Sequence, residues 1–134
     1  MIFKRASLSN KSDRDALLAN PQAFVFDETS LLASRFRVAI VESELLVGFA
    51  TTRTDDDSLE LIDLFTDPNW MHYGIATRLL DDVLEYAALE GIGEVALVGN
   101  PRALGFYKKY GFSEIAVSVT EFGEGHRLHL VVST

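Results

Sequence analysis

From Gly74 to Glu90 the apolar residues recur at a helical period, with Ile75, Leu79, Val83 and Ala87 on one face beside Ala76, Leu80 and Leu84. Polar Arg78, Asp81, Asp82 and Glu85 fall on the other side, so the spacing predicts an amphipathic helix lying on a core, with Gly91 as its stop. Upstream the pattern changes. Phe36 to Glu42, Leu45 to Thr52 and Leu59 to Thr66 are rich in β-branched and aromatic residues and predict three successive strands. They are separated by Ser43-Glu44 and by a turn over Thr54 to Ser58, and Asp67-Pro68-Asn69 ends the third. Gly48 interrupts the second strand, where a glycine marks a bulge or a close approach of backbone.

Downstream, Glu94 to Val98 is a short, nearly all-apolar run that predicts a buried strand. Asn100 is then placed to cap a helix that has Pro101 at its first position and ends at Gly111. Phe112 to Thr120 and Arg127 to Val132 predict a terminal strand pair. At the other end, Ile2 to Ala6 reads as a strand, and Asn10-Lys11-Ser12-Asp13 opens a helix that runs to about Ala19 before Asn20-Pro21. The segment Gln22 to Arg35 has room for a short helix from Asp27 to Ala33. This order predicts an α/β fold: a mixed, mainly antiparallel sheet with helices on both faces, turning parallel where strand, helix and strand follow one another between residues 59 and 98.

Composition narrows the function. The chain has 134 residues, 48% of them hydrophobic, and no internal repeat or linker, which predicts one domain over residues 1–134. The absence of cysteine excludes disulfide and thiolate chemistry. The apolar runs fall far short of the roughly 20 residues that cross a bilayer, and Met1-Ile2-Phe3-Lys4-Arg5 has no signal-peptide core, so the expected location is cytoplasmic. Twelve Lys and Arg against twenty Asp and Glu give a net charge of −8, which disfavours nucleic acid and anionic membranes as partners. Residues 42 to 67 hold eight acids (Glu42, Glu44, Asp55, Asp56, Asp57, Glu60, Asp63, Asp67) against Arg53 alone. That run either solvates a surface and its turns or attracts a cationic partner.

Two segments carry candidate chemistry. In Asn100 to Phe112, the residues Ala103, Phe106, Tyr107 and Tyr110 share one helical face, so Tyr107 is either a buried core tyrosine or a rigidly held phenolic acid. In Phe65 to Thr77, a strand passes through a small-residue loop into the start of a helix, where unpaired N–H groups and the positive dipole end suit a phosphate. Gly74 and Ala76 let a ligand approach the backbone, and Thr77 adds a hydroxyl. Close packing alone also explains such a Gly-x-Ala pair.

Together the two segments resemble the GNAT superfamily of acyl-CoA-dependent N-acyltransferases. The family's phosphate loop, Arg/Gln-x-x-Gly-x-Gly/Ala, is matched in part by Met71-His72-Tyr73-Gly74-Ile75-Ala76. Its later segment, Asn-x-x-Ala-x-x-Phe-Tyr-x-x-x-Gly-Phe, is matched at Asn100, Ala103, Phe106, Tyr107, Gly111 and Phe112. The order of elements fits the family along the chain, with a short first-helix region.

The resemblance implies acetyl transfer from acetyl-CoA to a primary amine. It implies that the backbone of Met71, His72, Tyr73, Gly74, Ile75 and Ala76, with Thr77, receives the pyrophosphate, and that the backbone at Phe65 and Thr66 pairs with the pantetheine arm. Asn100 and Phe106 would contact the cofactor, and Tyr107 would protonate the departing thiolate. Met71 stands where the family has Arg or Gln, and Tyr73 where Arg is common, so two side-chain donors are replaced; His72 is the nearby group able to supply charge. An acyl-CoA-binding regulatory module with little turnover is the alternative these departures raise.

The attacking amine must lose a proton, and Asp63 and Glu60 are the nearest carboxylates on the strand before the loop. Strict alternation sends residues three apart to opposite faces unless a bulge intervenes. Asp63 lies between apolar Ile62 and Leu64, where desolvation would raise its pKa, and is preferred as base. Trp70 stands beside the loop as a wall or an aromatic plug. His72, His126 and His129 show no metal-ligand spacing, so no metal is expected. Edge strands allow a homodimer.

Overall fold

The computed structural model describes residues 2–6, 35–40, 46–121 and 123–132. The expected helices at Asn10 to Ala19 and Asp27 to Ala33, the Ser43-Glu44 hairpin, and the acids Glu42 and Glu44 lie outside the described residues. The elements are β1 (Ile2–Ala6), β2 (Arg35–Ile40), β3 (Leu46–Asp55), β4 (Ser58–Thr66), a 3₁₀ turn (Pro68–Trp70), α1 (Ile75–Leu89), β5 (Glu94–Gly99), α2 (Leu104–Tyr110), β6 (Ser113–Thr120) and β7 (Gly123–Val131). The hydrogen-bonded strand order is β1-β2-β3-β4-β5-β7-β6. The β4–β5 pair is parallel, whereas β1–β2, β2–β3, β5–β7 and β6–β7 are antiparallel, which is the mixed, mainly antiparallel sheet read from the sequence. No helix among the described residues is long and apolar enough to cross a membrane.

The chain divides into two compact units, one of Met1–Arg53 with Asp63–Val83, the other of Thr54–Ile62 with Leu84–Thr134. In the first, Val47, Phe49 and Ala50 of β3 and Ile75, Leu79, Leu80 and Val83 of α1 are buried, as the helical period requires. Gly48 explains how closely α1 can approach. A Cβ there would lie 2.6 Å from Ile75 Cγ2 and 2.9 Å from the Phe65 carbonyl oxygen, so only hydrogen fits between strand and helix. The β2–β3 register also slips at this point, from Ala39↔Gly48 to Ile40↔Leu46, leaving Val47 as the extra residue of a bulge. The bulge and the close approach, which the sequence offered as alternatives at Gly48, occur together. Gly48→Ala should therefore lower stability by about 1–3 kcal/mol through overpacking, read as a fall in the thermal or urea midpoint.

In the second unit, Leu59 and Leu61 of β4, Val95, Ala96 and Leu97 of β5, and Leu128 of β7 are buried together with Tyr107 and Phe112. The parallel ladder runs from Ser58↔Glu94 to Leu61↔Leu97 and ends there, although β4 continues to Thr66 and β5 to Gly99.

Several boundaries differ from the sequence reading. The turn expected over Thr54 to Ser58 is only Asp56-Asp57, with Asp56 at φ 52°, a left-handed conformation that aspartate tolerates, so β3 extends to Asp55 and β4 starts at Ser58. β2 begins at Arg35 rather than Phe36. β7 begins at Gly123 rather than Arg127, because pairing of Thr120↔Gly123, Val119↔Glu124 and Ser118↔Gly125 holds a glycine-rich stretch whose own propensity is poor. The helix expected from Pro101 begins at Leu104; the side chain and carbonyl of Asn100 both accept from Ala103 N–H, at 3.0 and 3.1 Å, and close a turn over Pro101 first.

Candidate active site

The loop between β4 and α1 is pinned at its start. Asp67 N–H donates to the carbonyl of Val47, the bulge residue of β3, at 2.8 Å, and the Asp67 carboxylate caps the 3₁₀ turn by accepting from Asn69 N–H at 2.9 Å. Asp67 is buried, so one acid of the 42–67 run serves architecture rather than surface charge. Past the turn Met71 is extended, and His72 (φ 70°) and Gly74 (φ 74°) both take left-handed conformations. Such a conformation is uncommon for a residue other than glycine and concentrates in functional loops.

α1 starts at Ile75, and its first intrahelical bond is from Arg78 N–H to Gly74 carbonyl at 3.0 Å. The N–H groups of Ile75, Ala76 and Thr77 thus precede the helical ladder. No acidic residue lies in this first turn. A Cβ built on Gly74 meets nothing within 4 Å, so the backbone at Gly74 is uncovered on that side. Met71 and Tyr73 are 50% and 64% exposed, and Trp70 packs its ring 5.3 Å from that of Tyr73, which makes it an aromatic support for the loop.

On β4 the two carboxylates differ. Glu60 faces Arg127 at 2.6 Å and must give up that ion pair before it can take a proton. Asp63 accepts from the Thr51 hydroxyl at 2.7 Å. The desolvation expected for Asp63 is corrected by its surroundings: burial alternates from Ser58 to Ile62, and Asp63, where alternation calls for a buried residue, is exposed. This loss of alternation starts two residues after the β5 ladder stops. Phe65 is oriented by stacking on Phe49, with ring centroids 5.2 Å apart.

In the second unit, Tyr107 is the buried residue of α2, 8% exposed, with its ring edge-on to Phe106 and Phe112 at 5.3 and 5.7 Å. Burial pushes the phenol above its ordinary value of 10.0, which keeps it protonated through neutral pH and suits a proton donor. Phe106 lies on the exposed side of the same helix. Asn100 is exposed, and its side-chain oxygen is engaged by Ala103 N–H within its own turn.

Three further features were not read from the sequence. Thr51, on the neighbouring strand β3, is the partner of Asp63, a pairing that the sequence alone does not mark. His129 contacts Glu94 at 3.0 Å, and this hydrogen bond holds the Glu94 carboxyl below its ordinary value. His126 lies between Glu114 (Nδ1, 2.7 Å) and Glu124 (Nε2, 3.2 Å). Only the imidazolium can donate to both. The Glu114 hydrogen bond accordingly raises His126 above its ordinary 6.5, while Glu114, also facing Lys108 at 3.2 Å, is lowered. Because the folded value of His126 is the higher one, its stabilisation is complete below pH 6.5 and is lost as pH rises through the folded value. Urea midpoints should fall as pH rises above 6.5, and His126→Gln should flatten the fall. Among the described residues no group of three or more His, Asp or Glu is placed to hold a metal ion.

The acetyltransferase (GNAT) family profile matches residues 6–112, which include both the loop at Gly74 and the Asn100 to Phe112 segment. The chain belongs to the GNAT family. Among GNAT relatives, a chloroplastic GCN5-related N-acetyltransferase 1 of Arabidopsis thaliana is 34% identical over 67 residues, which cover 49% of this chain and 34% of that protein. An uncharacterized N-acetyltransferase of Methanocaldococcus jannaschii is 40% identical over 58 residues, covering 41% of this chain and 26% of that protein. The chain thus matches about a third or less of these relatives' lengths. Among solved GNAT folds, an aminoglycoside 6′-N-acetyltransferase complexed with coenzyme A superposes with a TM-score of 0.82 at 17% identity, over 100% of this chain and 98% of that one. The ribosomal-protein-S18-alanine N-acetyltransferase from Escherichia coli gives 0.77 at 20% identity, over 99% and 96%. At these identities the likeness is one of fold.

Proposed function

We propose that this GNAT chain transfers the acetyl group of acetyl-CoA to a primary amine on a cationic acceptor. The observation that carries the reading is the start of α1, where the Ile75, Ala76 and Thr77 N–H groups lie ahead of the helical ladder behind an open, left-handed Gly74. Such a terminus binds a diphosphate through main-chain donors and the helix dipole, without needing a basic side chain. The replacement of the family's Arg or Gln by Met71 therefore weakens binding by the worth of one charge-assisted contact, about 1.5–3 kcal/mol, and does not remove the site.

In the reaction, the neutral amine nitrogen attacks the thioester carbonyl carbon, the carbon–sulfur bond breaks, and coenzyme A leaves as a thiolate. Asp63 takes the proton lost by the amine, and Tyr107 gives a proton to the sulfur. The preference for Asp63 over Glu60 follows from the Arg127 ion pair on Glu60. Asp55, Asp56 and Asp57 are exposed at the β3–β4 turn, at the end of β4 away from the loop at Gly74, where their charge attracts a positively charged acceptor at long range.

The test is a calorimetric titration with acetyl-CoA followed by an assay of coenzyme A release against spermidine, lysine, kanamycin and an alanine-first peptide. Binding with release supports the enzyme. Binding without release across the panel supports a regulatory acyl-CoA sensor, the second reading raised by Met71 and Tyr73, and absence of binding removes both.

A further inference from the structure

We infer that Thr51 is a positioning residue for the carboxylate that activates the amine, an inference that rests on the acetyltransferase reading and on Asp63 as base. Thr51 is 2% exposed, and its hydroxyl donates to Asp63 Oδ2 at 2.7 Å, whereas Asp63 itself is exposed. The asymmetry matters. A hydroxyl fixed inside β3 has little freedom of its own, so it holds one oxygen of the carboxylate and fixes the plane of the other, which stays available to solvent or an amine.

An exposed aspartate without such an anchor samples several rotamers, and a proton acceptor works only within hydrogen-bond reach of the proton it takes. The backbone cooperates. Alternation on β4 first fails at Asp63, two residues past the last parallel pair Leu61↔Leu97, where the side chain is exposed yet still reaches Thr51 on β3. Glu60 has a different anchor, the Arg127 guanidinium, which neutralises it, whereas a hydroxyl orients Asp63 and leaves its charge in place.

The test compares Thr51→Val, Thr51→Ser and Asp63→Asn with the wild-type protein, using acetyl-CoA and whichever amine of the panel above is turned over fastest. Valine replaces the hydroxyl by a methyl of nearly the same shape, and serine keeps the donor, so a loss in the first and retention in the second reports the hydrogen bond rather than packing. Thr51→Val is expected to lower kcat about tenfold, in keeping with the loss of one hydrogen bond to a charged group, with KM for acetyl-CoA within twofold of wild type. Thr51→Ser should keep at least half of the wild-type kcat. In the Asp63→Asn background, which should itself lose about a hundredfold, Thr51→Val should add little.

Wild-type kcat in Thr51→Val, an equal loss in Thr51→Ser, or full additivity with Asp63→Asn overturns the positioning role while leaving the base assignment standing. Unchanged turnover in Asp63→Asn strikes the base assignment instead, and the role of Thr51 with it. A wild-type protein that releases no coenzyme A with any panel amine overturns the acetyltransferase reading on which both depend. Circular dichroism melts of each variant identify any that fails to fold, and the serine variant then decides alone: a tenfold loss with the hydroxyl retained counts against the inference, and retention of kcat supports it.

Discussion

Gly74→Glu is expected to abolish acetyl-CoA binding while the protein remains folded. Gly74 adopts φ 74°, where a residue with a Cβ is strained by about 1–2 kcal/mol, a cost most domains survive. The Cβ itself meets no protein atom within 4 Å, so the new side chain is accommodated next to the first turn of α1 without a clash at its root. There its carboxylate occupies the ground proposed for the pyrophosphate and repels it. Two unit charges about 4 Å apart at an effective dielectric near 20 interact by about 4 kcal/mol, or roughly three decades of affinity. Calorimetry should show no saturable heat in a concentration range that titrates the wild type, and a melting curve should still show one cooperative transition. Wild-type affinity in this variant would place the diphosphate elsewhere.

Tyr107→Phe is expected to reduce kcat about a hundredfold and to leave the KM for acetyl-CoA nearly unchanged. The ring of Tyr107 is held by Phe106 and Phe112, and phenylalanine keeps those edge-on contacts, so the loss is confined to the hydroxyl. A general acid contributes about 10²–10⁴-fold, and with the acid gone the thiolate must draw its proton from water. A steady-state series over acetyl-CoA separates the two parameters. An unchanged kcat removes Tyr107 from the chemistry and leaves it as a core tyrosine, the other reading that its helical spacing allowed.

How far the sequence reported the structure depended on whether the deciding interaction was local. The α1 face was legible because burial on one side of a helix imposes its own period, and Ile75, Leu79, Val83 and Ala87 are buried accordingly. Gly48 was legible because glycine inside a strand has few other uses. The short turn at Asp56-Asp57 was not, since three successive acids resemble a longer loop until the pairing partner of each is known. Nor was the glycine-rich start of β7, which is held by β6 and not by its own propensity. For the candidate site, the loop at Gly74 and the environment of Tyr107 followed from spacing. The surroundings of Asp63 and Glu60 did not, because an aspartate between apolar neighbours is exposed where strand alternation fails, and the partners Thr51 and Arg127 lie on other strands. Asn100 illustrates the same limit, its side chain being used within its own turn.

The most direct test of the main-chain cradle is the amide spectrum of ¹⁵N-labelled protein during titration with coenzyme A. The Gly74, Ile75, Ala76 and Thr77 amide protons should move downfield together, more than those elsewhere in the chain, as they acquire phosphate acceptors. Coenzyme A that binds while these four amides stay in place, or that fails to bind at all, contradicts the account.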